Sequence, residues 1–224
     1  MEKLLITIDG PAGAGKTTVS KALAYRLGYT YIDTGALYRS VAYEARAHGI
    51  DANDDEALKK LCNGLEIAFV RGDRGLRLIC NRVDITDLIR SPEIAMLASE
   101  VSARPAVRQF LFGLQREMGK DKGAVFEGRD MGTVVFPEAD VKFFLIASTR
   151  IRALRRFKEL ESASKVTLQE VEKDLMQRDQ NDSTRDLAPL IPAEDAIQID
   201  SSDMSIQEVL DQMLTHISAK FGDN

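Results

Sequence analysis

The sequence has few of the features that mark secreted, membrane or metal-binding proteins. It contains no apolar run long enough to span a membrane, and its apolar N-terminal segment is too short for a signal peptide. The two cysteines, Cys62 and Cys80, lack metal-site spacing, and the two histidines, His48 and His216, lie far from every motif. We therefore expect a cytoplasmic protein with two reduced, buried thiols.

The chain also lacks a surplus of basic residues. Its formal net charge is −5 over 224 residues, which argues against nucleic acid as its main partner. Hydrophobic residues make up 44% of the chain, so we expect a folded protein rather than a disordered one. No internal repeat is present, and the length allows one core with an insertion or a small second lobe.

A complete phosphate-binding loop lies near the N-terminus. Residues 10–17 read Gly-Pro-Ala-Gly-Ala-Gly-Lys-Thr, between an apolar run at 4–8 and a helical pattern at 18–27. The glycines let backbone N–H groups converge on an anion, and the helix N-terminus adds partial positive charge. Lys16 can reach the β- and γ-phosphates, and the Thr17 hydroxyl can ligate Mg²⁺. A glycine-rich turn that binds nothing is the alternative, but the flanking strand and helix favour a nucleoside triphosphate site.

Arginines gather in a few places along the chain. Those that cluster are Arg150, Arg152, Arg155, Arg156, Arg178 and Arg185. Guanidinium groups bind phosphate oxygens with two parallel hydrogen bonds, so the clusters favour a cleft for small polyanions. The alternative is a solvated helix face with ion pairs to Glu159 and Glu161, and it stays open for Arg152 and Arg155.

Apolar periodicity alternates between strand and helix along the chain. It predicts strands at 3–9, 29–32, 124–127, 141–146 and 196–199, and helices at 16–27, 37–48, 54–65, 92–101, 104–118, 150–162, 167–179 and 205–220. Between 65 and 90 the pattern changes to short alternating segments separated by a turn, which predicts an antiparallel hairpin or three-stranded sheet. The fold class is therefore α/β, a parallel sheet covered by helices on both faces with a small antiparallel insertion.

Three further motifs follow predicted strands or lie among the clustered arginines at 150–185. They are Asp33-Thr34-Gly35-Ala36-Leu37-Tyr38-Arg39, Glu127-Gly128-Arg129-Asp130-Met131-Gly132, and the segment 178–185 with its two arginines around a carboxylate. Ligands of parallel α/β folds bind at the carboxyl ends of strands. Taken singly, the motifs could be a helix N-cap, a surface turn and a solvated loop. Their occurrence together beside a phosphate loop favours a ligand site.

These motifs resemble those of bacterial cytidylate kinases, a family of P-loop nucleoside monophosphate kinases. The most specific block is Gly128-Arg129-Asp130-Met131-Gly132-Thr133-Val134-Val135-Phe136-Pro137, and the resemblance covers nearly the whole chain. It implies one domain over residues 1–224, a three-layer P-loop fold with a central five-stranded parallel sheet. It further implies a nucleoside monophosphate-binding region at 36–100, with the antiparallel insertion near 65–90, and a helical lid at 148–186. The implied reaction is transfer of the γ-phosphoryl of ATP to CMP or dCMP with Mg²⁺, by a monomer.

The resemblance also implies roles for individual residues. Catalysis is assigned to Lys16, Arg129 and Arg178, and Mg²⁺ to Thr17, with Asp33 contacting the ion through water. ATP is assigned to Gly10, Pro11, Ala12, Gly13, Ala14, Gly15, Lys16, Thr17, Thr18 and Arg155. CMP is assigned to Thr34, Tyr38, Arg39, Ser99, Arg108, Arg129, Asp130, Arg178, Asp182 and Arg185. The chain departs from the family at Thr34, where serine is usual; the hydroxyl is retained and a methyl group is added.

The expected chemistry agrees with these residue types. A phosphate acceptor is already largely ionised near neutral pH, so no general base is needed and catalysis rests on positioning and charge. A closing lid would keep water from the γ-phosphate. Alternatives are a P-loop kinase for UMP, AMP or a small alcohol, a regulatory GTPase, and a binding protein without catalysis. The chain lacks the N-K-x-D and D-x-x-G motifs of a GTPase, and its intact Lys16 and Thr17 argue against a binding protein.

Overall fold

A computed structural model describes residues 3–72, 75–160 and 166–222. Backbone contacts divide the chain into two units, residues 1–33 with 119–224, and residues 34–118. In chain order the elements are β1 (Leu5–Asp9), α1 (Lys16–Leu27), β2 (Thr30–Asp33), α2 (Thr34–Ala47), α3 (Asp55–Asn63), β3 (Ile67–Gly72), β4 (Gly75–Cys80), β5 (Val83–Asp84), a 3₁₀ turn (Leu88–Arg90), α4 (Pro92–Val101), α5 (Pro105–Gly119), β6 (Ala124–Glu127), a π-helical turn (Met131–Val135), β7 (Val141–Ile146), α6 (Thr149–Leu160), α7 (Leu168–Thr184), β8 (Ile197–Asp200) and α8 (Ile206–Phe221).

The first unit contains a five-stranded parallel sheet. Its strand order is β2-β6-β1-β7-β8, so β1 lies at the centre, between β6 and β7. Ile8 of β1 pairs with Glu127 of β6, and Asp9 pairs with Phe144 of β7. The carboxyl ends of the three central strands therefore lie side by side, and the segments that follow them share one edge of the sheet.

The apolar residues of the sheet bury both of its faces. Ile6, Ile8, Phe143 and Leu145 pack in one cluster with buried side chains of α1 and α8. Phe126 points to the opposite face, since neighbouring strand residues alternate, and its ring lies 4.6 Å from that of Phe136. None of the described helices is long and apolar enough to cross a membrane.

The second unit consists of α2 to α5 and a three-stranded antiparallel sheet in the order β3-β4-β5. Its core includes Leu37, Val41, Leu58 and Leu111, which are fully buried. Cys62 and Cys80 are free and buried in the same core. Burial raises the pKa of Cys62 to about 11 and that of Cys80 to about 12, so both thiols stay protonated near neutral pH.

The predicted fold class is confirmed, including the five parallel strands and the antiparallel insertion, whose turn residues 73 and 74 lie outside the described residues. Two predicted helix boundaries differ from the structure by three residues or more, and several others differ by one or two. Helix α2 begins at Thr34 rather than at 37, directly at the end of β2. Helix α7 continues to Thr184 rather than ending at 179, because Asp182 in its last turn is buried against Arg129 instead of being hydrated.

Candidate active site

The phosphate loop joins the centre of the sheet to the first turn of α1. Its backbone has positive φ at Gly10 (143°), Gly13 (77°) and Gly15 (92°), and Gly15 is the N-cap of α1 without any side-chain cap. The first N–H groups of α1 therefore have no side-chain acceptor at the N-cap. Such a helix N-terminus with a curled glycine loop is suited to bind a phosphate group.

We expect Gly10→Ala to be much more harmful than Gly28→Ala, although both glycines have positive φ. An added Cβ at Gly10 would lie 2.0 Å from the carbonyl oxygen of Leu145, whereas at Gly28 it would meet nothing within 4 Å. Gly28→Ala should cost about 1 kcal/mol of unfolding free energy, the ordinary strain of a left-handed alanine, and Gly10→Ala at least about 3 kcal/mol. Urea denaturation of both variants measures the difference; equal losses would contradict the close approach of this loop to β7.

Lys16 is buried beside the loop, with both cationic and carboxylate side chains around it. It is only 7% exposed, and its Nζ donates a hydrogen bond to the carbonyl oxygen of Pro11 at 2.8 Å. Burial and then the guanidinium of Arg129 hold the pKa of Lys16 well below its usual range, and Arg178 acts in the same direction. The positive charges of these three side chains thus repel one another, and a bound polyanion would relieve that repulsion.

Thr17 contacts a carboxylate at the end of the neighbouring strand. Its hydroxyl donates a hydrogen bond to Glu127 Oε1 at 2.8 Å. Burial and the charge of the nearby Asp33 raise the pKa of Glu127. The side chains of Thr17, Glu127 and Asp33 therefore lie close together. Among the described residues, no group of three or more His, Cys, Asp and Glu side chains could hold a metal by itself. This small oxygen set fits Mg²⁺, which takes one or two protein oxygens and completes its shell with phosphates and water.

Three arginines of the predicted site lie around two buried carboxylates. Arg129 Nε donates to Asp182 Oδ2 at 2.9 Å, and Arg185 Nη2 lies 3.7 Å from Asp130 Oδ1. Burial acts to raise the pKa of Asp182, but the charges of Arg129 and Arg178 outweigh it and the pKa falls below its usual range. The structure therefore brings the 127–132 motif and the 178–185 segment together, as a ligand site requires.

Asp9 organises the backbone that follows Arg129 and Asp130. It is buried at the end of β1, and its two carboxylate oxygens accept the N–H groups of Met131 at 2.9 Å and Gly132 at 2.7 Å. An added Cβ at Gly132 would lie 3.0 Å from Thr7 Oγ1, so the turn is pressed against β1. Asp9 thus fixes the arginine-bearing segment at the start of the phosphate loop.

The stability difference between wild type and Asp9→Asn should depend on pH. Burial raises the pKa of Asp9 to about 6, against the opposing effect of the N–H groups of Gly132 and Met131. Between pH 4 and 7.5 the Asp9 carboxyl group loses its proton more readily in the unfolded chain than in the native protein. Ionisation of Asp9 therefore lowers the free energy of unfolding of wild type as pH rises. Wild type should lose about 2 kcal/mol relative to Asp9→Asn over this range. Denaturation of both proteins at the two pH values tests this, and a constant difference would contradict a raised pKa.

The solvated-face alternative was wrong for Arg152 and Arg155. Arg152 is 4% exposed, and its guanidinium donates two hydrogen bonds to the carboxylate of Asp179 in α7. This carboxylate neutralises the charge of the buried Arg152. Arg155 donates to the carbonyl oxygen of Ser201 at 2.6 Å and to that of Ala14 in the phosphate loop at 3.4 Å. Arg156 does lie on an exposed face, paired with Glu159 at 2.9 Å. Glu161 lies outside the described residues.

The second unit carries the remaining predicted CMP residues. The guanidinium of Arg108 lies 5.9 Å from the ring centre of Tyr38, and its Nη1 donates to the carbonyl oxygen of Ser102 at 3.1 Å. The Ser102 hydroxyl in turn donates to the carbonyl oxygen of Ser99 at 2.7 Å. Tyr38, Arg108 and Ser99 are thereby linked within this unit. Thr34 is buried in the first turn of α2, and Arg39 is half-buried on the same helix.

Sequence reasoning missed three polar residues of the site. The sequence motifs predict no role for Glu127, Asp9 or Asp179. A carboxylate that directly ends a buried strand was the available signal for the first two, because both follow mainly apolar, buried strand residues. For Asp179 the sequence held no signal, since its partner Arg152 is 27 positions away.

Fold and site together define a P-loop phosphotransferase of small molecules. A shikimate kinase from Acinetobacter baumannii has the same fold, with a TM-score of 0.50 and 15% identity over 98% of this chain and 95% of that chain. A family model for cytidylate kinase matches residues 6–219, and the chain belongs to the cytidylate kinase family. The cytidylate kinase of Geobacter sulfurreducens is 52% identical over 94% of this chain and 91% of its own length. That of Ligilactobacillus salivarius is 43% identical, with 98% and 99% covered.

Proposed function

We propose that this protein transfers the γ-phosphoryl group of ATP to CMP or dCMP, giving ADP and CDP or dCDP. ATP-dependent phosphorylation of CMP follows from membership of the family. The observation that carries the proposal for this site is the convergence of Arg129 and Arg178 on the buried Lys16 beside the phosphate loop. Two phosphate-bearing anions must approach each other during the transfer, and three cations in one place offset their repulsion.

On the donor side, residues 10–18 hold the triphosphate. Backbone N–H groups of the loop and of the first turn of α1 bind the phosphate oxygens, and Lys16 neutralises the β- and γ-phosphates. Arg155, whose guanidinium lies against the loop carbonyl of Ala14, contributes a further positive charge to the ATP site. Lys16 and the loop N–H groups together orient the γ-phosphate for attack.

Mg²⁺ is the implied cofactor of this site. Thr17 would hold it directly, with Glu127 and Asp33 contacting its water ligands, as the Thr17–Glu127 hydrogen bond supports. When bound, the ion would supply positive charge that offsets negative charge developing on the phosphates. The chain's own part is to hold the Thr17 hydroxyl oriented, through the acceptor oxygen of Glu127.

On the acceptor side, Arg129 and Arg178 hold the phosphate of CMP. Asp182 keeps the Arg129 guanidinium oriented, and the pair Arg185–Asp130 lies beside it for the sugar and the base edge. Following the family resemblance, the remaining residues proposed for CMP are Thr34, Tyr38, Arg39, Ser99 and Arg108. The acceptor phosphate attacks in its ionised form, so the reaction needs no proton acceptor from the protein.

Water must be kept from the γ-phosphate until CMP is bound. We propose residues 148–186, which include α6 and α7, as the lid that does so, and residues 36–100 as the monophosphate-binding region of one 1–224 domain. The proposal includes a cytoplasmic monomer that binds neither nucleic acid nor membrane; the net charge of −5 supports the first exclusion.

A coupled ADP-release assay with ATP and Mg²⁺, run in parallel with CMP, dCMP, UMP and AMP, tests the function. We expect strong turnover with CMP and dCMP and weak turnover with UMP and AMP. A preference for UMP or AMP would keep the phosphotransferase and contradict the assigned base-reading residues. Absence of ADP release with all four acceptors would contradict the proposed function.

A further inference from the structure

Arg152 has the environment of a positioning residue rather than of a phosphate ligand. Arg152 Nε donates a hydrogen bond to the carbonyl oxygen of Ala147 at 2.9 Å. Its Nη1 donates to the carbonyl oxygen of Ala12 at 3.1 Å and to Asp179 Oδ1 at 3.0 Å. Its Nη2 donates to Thr149 Oγ1 at 3.0 Å and to Asp179 Oδ2 at 2.5 Å. A guanidinium has five N–H donors, and each of these is engaged here. Arg152 therefore has no donor left for ATP or CMP.

The bonds of Arg152 connect the phosphate loop to α7. Ala12 is a loop residue, and Asp179 lies on α7 next to Arg178 in the chain. The loop also packs directly on Arg152, since a Cβ added at Gly13 would lie 3.0 Å from the Cβ of Arg152. Beside this pair, Ala12 packs in an apolar cluster with Val171 and Leu175 of α7. Polar and apolar contacts thus hold one face of α7 against the loop.

The same helix carries the groups proposed to hold the acceptor. Arg178 adjoins Asp179, and Asp182 lies one turn further along, bound to Arg129. A displacement of α7 at Asp179 would therefore move Arg178 directly and loosen the anchor of Arg129. We infer that Arg152 is a positioning residue for phosphoryl transfer, which acts through Asp179 to set Arg178 relative to the ATP-binding loop. This inference rests on the proposed function.

The test is a double-mutant cycle between Arg152→Lys and Arg178→Ala, measured as kcat and KM with ATP and CMP. Lysine keeps the charge but loses the planar fork that binds Asp179 and Ala12 at once. Arg152→Lys should lower kcat/KM about tenfold to a hundredfold, mainly in kcat, as for outer partners that orient a binding group. In the Arg178→Ala background the same change should matter less than about threefold, because the group that it positions is already gone.

Two further variants make the cycle decisive. Asp179→Asn removes the charge from the other side of the pair and should reproduce the Arg152→Lys effect and its dependence on Arg178. Arg156→Lys, an exposed arginine of the same helix that pairs with Glu159, is the matched control and should leave kcat/KM unchanged. Effects of Arg152→Lys that multiply with those of Arg178→Ala would overturn the inference, as would unfolding of both Arg152→Lys and Asp179→Asn. Wild type that transfers no phosphate to CMP would instead overturn the proposed function.

Discussion

Replacing Lys16 by methionine should lower kcat for phosphoryl transfer by about 10³-fold, the upper range for loss of one preorganised donor. Methionine fills nearly the same space, so the phosphate loop keeps its shape while the charge disappears. In the native protein Lys16 is buried and faces the charges of Arg129 and Arg178, which hold its pKa well below the usual range. Burial of the charged Lys16 side chain therefore lowers the free energy of unfolding, and the methionine variant should be at least as stable as wild type near neutral pH.

The comparison that checks this prediction pairs activity with chemical denaturation. Lys21→Met is the matched control, because Lys21 lies on the same helix, is exposed, and has its Nζ 5.4 Å from the Tyr31 ring centre. We expect Lys21→Met to retain kcat within about twofold, in line with the small effects of surface substitutions. A Lys16→Met protein that is strongly destabilised and still active would show that the lysine supports the fold rather than the reaction.

Replacing Arg178 by alanine should lower kcat/KM for CMP by a factor of about 10²–10³, and Arg129→Ala should do the same. Both guanidinium groups lie near Lys16 and Asp182, where they would meet the acceptor phosphate. Because alanine also leaves Asp182 with less positive charge around it, its pKa should rise in either variant.

The matched control for these two variants is Arg150→Ala. Arg150 lies at the start of α6, its side chain is 65% exposed, and it is 3.6 Å from Glu172. Its removal should leave kcat/KM within about twofold of wild type, as expected for an exposed ion pair. Circular dichroism of all three variants should stay close to wild type, and so should thermal melting of Arg178→Ala and Arg150→Ala, whereas Arg129→Ala should melt lower because it removes the hydrogen-bonded partner of the buried Asp182. Near-normal turnover of Arg178→Ala and Arg129→Ala would remove both arginines from the proposed mechanism.

Local signals in the sequence were sufficient to predict the parts of the site that a single segment encodes. The phosphate loop and α1 occur at the predicted positions, because glycine, lysine and threonine spacing and an adjoining helix are properties of neighbouring residues. The buried strands β6 and β7 were predicted with their observed bounds for the same reason, since continuous apolar runs mark them. The central sheet and the antiparallel insertion followed from these elements.

Contacts between distant polar residues could not be predicted in the same way. Asp9 accepts N–H groups from residues 122 and 123 positions further along the chain, and no periodicity marks such a pair. The sequence allows Arg152 to be exposed, because its neighbours along α6 are charged. In the structure it is buried against Asp179 of α7. The last turn of α7 was missed because its residues are polar, and contacts with distant residues, such as the ion pair from Arg129 to Asp182, hold that turn against the rest of the unit.

The central claim is that the γ-phosphoryl group passes to the monophosphate rather than to water. The most direct measurement uses ATP labelled in the γ-phosphate, incubated with the protein, Mg²⁺ and CMP, followed by separation of the labelled products. We expect the label to appear in CDP in amounts equal to the ADP formed, with little labelled inorganic phosphate. Label found mainly in inorganic phosphate, with CMP unchanged, would contradict the account.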